Sequence, residues 1–259
     1  MLFDIRHLFF CYQEKKIIDD LSLSLEPGKF YGIIGPNGCG KTTFLDLISK
    51  QRSPASGEIL YKKKPISRYS KKALSKEIAL VPQNFYINFP FTAKEIVMMG
   101  RYPHIPRFSA PSSADLSYVR KIMEATGTSE FEHRLITELS GGERQRVVFA
   151  RALVQDTPVL ILDEATSNFD IRHTIRMLNI VAQGGREAGK TVIAVFQDIN
   201  LAAIWCHDLI FMKSGKIIAH GPAETVLDAD IIRTVFDVDA KVCFEPYAGA
   251  KQVVFRSEP

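Results

Sequence analysis

Residues Phe30 to Ser49 read FYGIIGPNGCGKTTFLDLIS, and this stretch decides the fold. A short apolar run, Tyr31 to Ile34, enters a glycine-rich turn, and apolar residues at helical spacing follow it. The pattern is G-x-x-x-x-G-K-[ST] in a strand–loop–helix setting, the phosphate-binding P-loop. Gly35, Pro36, Asn37, Gly38, Cys39 and Gly40 form the loop, whose curled backbone aims N–H groups at phosphate oxygens. The helix opening at Lys41 adds the positive end of its dipole. The Lys41 ammonium is expected to reach the β- and γ-phosphates and the Thr42 hydroxyl to ligate Mg²⁺, with Thr43 beside them. The ligand is expected to be a nucleotide.

Outward from that loop, 259 residues make one large domain or a domain with a substantial insertion. Hydrophobic content of 46% and charged content of 24% are ordinary for a soluble globular chain. A net charge of +4 suits an anionic ligand or a membrane surface but does not call for nucleic acid. The lysines of Lys62–Lys64 read as a solvated turn. Cys11, Cys39, Cys206 and Cys243 have no metal-binding spacing and suggest a reducing compartment. MLFDIRHLFF lacks a basic leader and cleavage site, and no apolar stretch approaches the roughly 18 residues needed to span a bilayer. A cytoplasmic chain is expected, reaching a membrane only through a partner.

The predicted elements divide the chain. Phe3–Tyr12 and the strictly alternating Leu21–Leu25 read as strands, as do Glu58–Tyr61 and Ile78–Val81. Thr92-Ala93-Lys94-Glu95 is a capping box opening a helix that stops at Gly100. Further helices start at Ser112-Ser113, running to Thr126-Gly127, and at Ser140, running through Leu153, with a proline-rich loop over Arg101–Pro111. α/β alternation then returns: strand Val159–Leu162, helix Ile171 to about Val181, strand Thr191–Phe196, helix Asn200–Trp205, a hairpin turned at Ser214-Gly215, two short helices and a terminal strand pair. The expected fold is α/β, a P-loop NTPase (RecA-like) core with a mainly parallel sheet and an antiparallel N-terminal β subdomain. The core spans 1–86 and 156–259, and a helical subdomain spans 87–155.

Two further constellations carry chemistry. Val159-Leu160-Ile161-Leu162-Asp163-Glu164 is an apolar strand ending in adjacent carboxylates, the Walker B pattern. Asp163 would hold the Mg²⁺ shell and Glu164, projecting the opposite way, would polarise the attacking water; the plainer alternative is an exposed acidic loop. Leu139-Ser140-Gly141-Gly142-Glu143-Arg144-Gln145-Arg146 places two glycines after a capping serine, leaving a helix N-terminus bare for an anion. Taken alone it is also a well-capped helix.

The whole string LSGGERQR resembles the signature motif of ABC-type ATPases. The resemblance covers nearly the full chain and implies roles for further positions. Gln83 matches the Q-loop glutamine, which touches Mg²⁺ or water. Tyr12 matches the adenine-stacking aromatic, with an edge-strand tyrosine as the alternative. Ser167-Asn168-Phe169-Asp170 matches the D-loop with Phe169 for the usual leucine, and Asp170 also suits a helix cap. One position departs: Gln197 stands where the family carries its switch histidine. An amide can donate to a γ-phosphate oxygen but cannot carry charge or relay a proton, and His207 does not replace it by spacing.

The family's architecture implies a head-to-tail dimer with ATP and Mg²⁺ between the subunits. Ser140, Gly141, Gly142 and Asp170 would then act on the nucleotide of a second copy. Phe85–Phe91, dense in aromatics, is either the loop's own core or the floor of a groove for a polytopic permease. Met99-Gly100-Arg101-Tyr102-Pro103-His104 resembles a stretch of ATPases from importers of ferric siderophores, haem and cobalamin. That likeness implies an ATP-hydrolysing importer subunit on the cytoplasmic face of a prokaryotic inner membrane, served indirectly by a substrate-binding protein. The alternatives are a soluble non-transport ABC ATPase of the iron–sulfur assembly type, and a regulatory ATP-binding module weakened by Gln197.

Overall fold

The alternation Leu21-Ser22-Leu23-Ser24-Leu25 becomes a half-buried strand, with the leucines inside and the serines exposed. It belongs to β2 (Lys15–Leu25), which pairs antiparallel with β1 (Phe3–Tyr12). After β3 (Phe30–Ile34) and α1 (Lys41–Ile48) come β4 (Ser56–Tyr61) and β5 (Lys64–Pro65), giving an antiparallel sheet in the order β2-β1-β4-β5. The computed structural model describes residues 1–85, 89–167 and 169–256. Two compact units are present: Met1–Tyr69 with Thr191–Pro259, and Ser70–Lys190.

The Ser70–Lys190 unit holds α2 (Lys71–Leu74), β6 (Ile78–Val81), α3 (Ala93–Met98), α4 (Ser113–Thr126), α5 (Gly141–Val154), β7 (Val159–Asp163) and α6 (Ile171–Ala188). Strands β6 and β7 run parallel, Val81 opposite Leu162. Reciprocal capping boxes start three helices, Thr92 with Glu95, Ser112 with Asp115 and Ser140 with Glu143. Each satisfies donors that a helix N-terminus leaves unpaired. Ile96, Val97, Val119, Met123, Val147 and Val154 join in one buried cluster of the helices. Gly100 makes close packing possible, because a Cβ there would lie 2.2 Å from the Arg151 carbonyl oxygen. Arg101 locks the same corner, donating from Nε to Asp115 at 2.9 Å and from Nη1 to the Val154 carbonyl at 2.9 Å. His104 Nε2 lies 2.7 Å from the Gln155 carbonyl oxygen, so the Met99–His104 stretch serves packing.

Helix α6 outruns its expected end near Val181 and continues to Ala188, where Gly189 in the left-handed conformation stops it. Gly184 and Gly185 lower its intrinsic propensity, and a Gln183–Glu187 side-chain bond at 2.7 Å one turn apart supports that stretch.

The chain then completes the first unit with β8 (Thr191–Val195), α7 (Ile199–Trp205), β9 (Asp208–Lys213), β10 (Lys216–Pro222), α8 (Ala223–Val226) and α9 (Ala229–Phe236). A terminal hairpin, β11 (Ala240–Glu245) and β12 (Ala250–Phe255), ends it. The strand order there is β10-β9-β3-β8. β3 is parallel to both β8 and β9, and the β9–β10 edge is antiparallel. β3 and β8 are buried along their whole length, as strands covered on both faces are. Asn200 on α7 donates to the Val253 carbonyl and accepts from its N–H, latching the hairpin to the unit. No helix among the described residues is long and apolar enough to cross a membrane.

Candidate functional site

In the first unit the P-loop leaves the C-terminal end of β3, and Gln197 follows the C-terminal end of the adjacent parallel strand β8. Ile33 pairs with Val195, and the Phe196 N–H donates to the Ile33 carbonyl at 3.1 Å, which fixes that register. Ligands of open α/β sheets gather at the carboxyl ends of such strands. Gly40 at φ 108° turns the loop into α1, a left-handed conformation that only glycine adopts readily. The Cys39 carbonyl accepts from the Gly215 N–H at 2.9 Å, anchoring the loop to the β9–β10 turn. Burial pushes the Cys39 thiol up, which keeps it protonated and unreactive. Lys41 is buried, and its Nζ donates to the Gly35 and Pro36 carbonyls at 2.8 and 3.1 Å. Thr42 is exposed and Thr43 buried on the first turn of α1. Gln197 is exposed. Tyr12 ends β1 partly exposed, its ring under the Arg52 guanidinium at 4.8 Å and edge-on to Phe10.

In the second unit the carboxylates end β7. Asp163 and Glu164 are both buried, and Glu164 takes φ 47°, uncommon for a residue with a side chain. The Ser167 N–H and hydroxyl both donate to the Glu164 carbonyl, at 3.1 and 2.9 Å, and hold that kink. Gln83, just past β6, donates from Nε2 to Glu164 Oε2 at 2.8 Å. The structure thus joins two of the expected site residues 81 positions apart. Buried Gln145 on α5 lies 3.3 Å from the Ala165 carbonyl and 3.5 Å from that of Pro82, tying the signature helix to the segments beside both.

Ser140 and Gly141 are exposed at the start of α5, and a Cβ on Gly141 would meet nothing within 4 Å. The Ser140 N–H donates to Glu143 at 2.7 Å and holds that carboxyl below its usual range. Asp170 caps α6, and the His173 N–H lowers its carboxyl in the same way. The D-loop position Asn168 lies outside the described residues, as do Tyr86, Ile87 and Asn88 of the aromatic loop. Phe89 and Phe91 are exposed, 67% and 38%, which sets them apart from a buried loop core. Phe85 instead packs under Arg151 at 4.2 Å.

The residues fit a nucleotide with Mg²⁺. A Cβ at Gly38 (φ +76°) would find open space, so the loop has room for phosphate oxygens. Thr42 in the first unit, and Gln83 and Asp163 in the second, each carry a hard oxygen of the kind Mg²⁺ takes. No group of three or more His, Cys, Asp or Glu side chains among the described residues could cage a metal alone.

Gln145 carries a structural role that its sequence neighbourhood does not spell out. Its only signal was membership of the LSGGERQR string, since a buried amide facing two backbone carbonyls has no local signature.

Comparison with known proteins adds the following. The ABC transporter family model matches residues 18–167. The cobalamin import ATP-binding protein BtuD of Halobacterium salinarum is 39% identical over 92% of this chain, which spans 59% of that relative's length. The iron(3+)-hydroxamate import ATP-binding protein FhuC of Bacillus subtilis is 37% identical over 91% of this chain and 87% of its own. A chain of an ABC transporter solved in an inward-facing conformation superposes with a TM-score of 0.83 at 25% identity, covering 99% of this chain and 97% of that one.

Proposed function

The chain belongs to the ABC transporter family, and from that premise we propose that it is the ATP-binding and ATP-hydrolysing subunit of an importer of metal chelates. The observation that carries the reading is the Gln83–Glu164 hydrogen bond, which couples a would-be sensing loop to a would-be general base. ATP binds through Gly35–Gly40, Lys41, Thr42 and Thr43, with Tyr12 against the adenine. Thr42, Gln83 and Asp163 hold Mg²⁺, which when bound neutralises phosphate charge. Glu164 orients and polarises the water that attacks the γ-phosphoryl group, and Gln197 donates to a γ-phosphate oxygen.

Ser140, Gly141, Gly142 and Asp170 complete the site of a second copy, so that ATP draws two chains together and hydrolysis releases them. Charge-assisted bonds from a bare helix start are worth about 1.5–3 kcal/mol each, enough for closure to depend on the γ-phosphate. The helical subdomain, residues 87–155, carries this signature. Exposed Phe89 and Phe91 floor the docking groove for a polytopic permease, and the chain works on the cytoplasmic face of the membrane. The cargo class follows the relatives, which import cobalamin and iron(3+)-hydroxamate.

Reconstitution with the permease that co-purifies with the chain tests this. Chelate uptake in vesicles driven by ATP and lost on Glu164→Gln is expected. ATP hydrolysis without any co-purifying membrane protein would favour the non-transport reading.

A further inference from the structure

Within the Ser70–Lys190 unit a cleft of about 340 Å³ opens where the end of α4, the body of α5 and the first turns of α6 converge. Ser129, Glu130, Arg146, Arg172, His173 and Arg176 line it. Three guanidinium groups face one carboxylate, an excess of two positive charges if the imidazole is neutral. Asp170, beside the cleft, is committed to capping α6 and to His173 Nδ1 at 2.9 Å.

Two of the arginines, Arg146 and Arg176, are held in place. Arg146 donates from Nη1 to the Gly127 carbonyl at 3.0 Å and lies over the Phe131 ring at 5.1 Å. Arg176 donates from Nη2 to the Glu124 carbonyl at 3.0 Å. Each uses a single nitrogen in these bonds, out of five N–H donors per guanidinium. Side chains already fixed lose little freedom when a ligand arrives. Glu130 reaches Arg146 only loosely, 3.5 Å away with its side chain 69% exposed, a contact that a stronger anion would displace.

We propose that this cleft binds a diphosphate group, either free pyrophosphate or the diphosphate of a small metabolite. Guanidinium forks match phosphoryl oxygens in pairs. Three of them surround more than one tetrahedral anion needs, and the volume is at the small end of ligand sites. Its lining shares no residue with the P-loop, and the proposal does not depend on the importer reading.

The test uses the full chain carrying Lys41→Ala, so that the P-loop no longer competes for phosphate, with binding read by titration calorimetry. Pyrophosphate is expected to bind with one-to-one stoichiometry. Arg172→Gln with Arg176→Gln should weaken it by roughly tenfold or more. With Lys41 intact, the double arginine variant should bind ATP within about twofold of wild type, while Lys41→Ala alone loses ATP. Tighter binding of uridine diphosphate than of pyrophosphate assigns a metabolite, and the reverse assigns the free anion. No pyrophosphate binding in the Lys41→Ala chain, an unchanged affinity in the double variant, or citrate binding as tightly as pyrophosphate overturns the proposal. Retention of ATP by Lys41→Ala would instead count against the P-loop assignment alone.

Discussion

Gln83 Nε2 donates to Glu164 Oε2 at 2.8 Å, so the residue after β6 and the residue after β7 meet as one amide–carboxylate pair. The parallel register of those strands, Val81 beside Leu162, brings them within reach. The bond fixes the direction in which the carboxylate points.

Glu164→Gln keeps the shape of the pair and removes the base. It is expected to lower kcat for ATP by about 10²–10⁴-fold while nucleotide binding, followed by fluorescence of a labelled ATP, stays close to wild type. Gln83→Ala should give a smaller loss. Equal turnover in wild type and Glu164→Gln would remove Glu164 from the chemistry.

Gln197 stands exposed beyond β8, beside the strand that feeds the P-loop. Its amide donates without ionising, so wild-type turnover should lack a limb from this position. Gln197→Ala is expected to cost roughly tenfold in kcat as one charge-assisted bond to phosphate is lost. Gln197→His should introduce a pH-dependent limb near about 6.5, the ordinary histidine value. Identical pH profiles for wild type and Gln197→His would show that the side chain never meets the phosphate.

The Ser112 hydroxyl, then the Arg101 guanidinium, hold the Asp115 carboxyl at about 2. A carboxyl lowered on folding stabilises the chain above its unfolded value, near 3.8, and loses that contribution as pH falls through about 2. Asp115→Asn should therefore cost about 1 kcal/mol at pH 7, the scale of a helix cap. In urea unfolding the gap to wild type should narrow between those two pH values. A gap that stays constant across them would mean that the charge contributes nothing.

Gly100→Ala would push a methyl group to 2.2 Å from the Arg151 carbonyl, a backbone atom that cannot rotate away. A loss of about 1–3 kcal/mol is expected, read as a lower midpoint in thermal unfolding. A midpoint at or above the wild-type value would show that the turn after α3 has slack.

Much of this architecture was legible because its signals are local. The P-loop string, the alternating leucines and the capping serines and threonines each state a conformation within a few residues, and β3, β2 and the starts of α3, α4 and α5 fall where those signals point. The far end of α6 was not legible, since two glycines imitate a stop and the bond from Gln183 to Glu187 that supports the helix there is a pairwise matter. Long-range pairs were equally silent. Nothing near Gln83 names Glu164, and nothing in Arg146, Arg172 and Arg176 reveals that one cleft collects them. A motif names a residue, but only the packing names its neighbour.

The P-loop lysine is already spoken for, its ammonium bound by the carbonyls of Gly35 and Pro36. A phosphate that engages Lys41 would therefore meet an exchange of partners, and the heat released would reflect the difference between two sets of bonds. The same side chain braces the loop, joining the Gly35 and Pro36 carbonyls to α1. Replacing Lys41 should thus soften the ligand-free protein as well as weaken its grip on ATP, so that stability and affinity at this loop cannot be tuned separately.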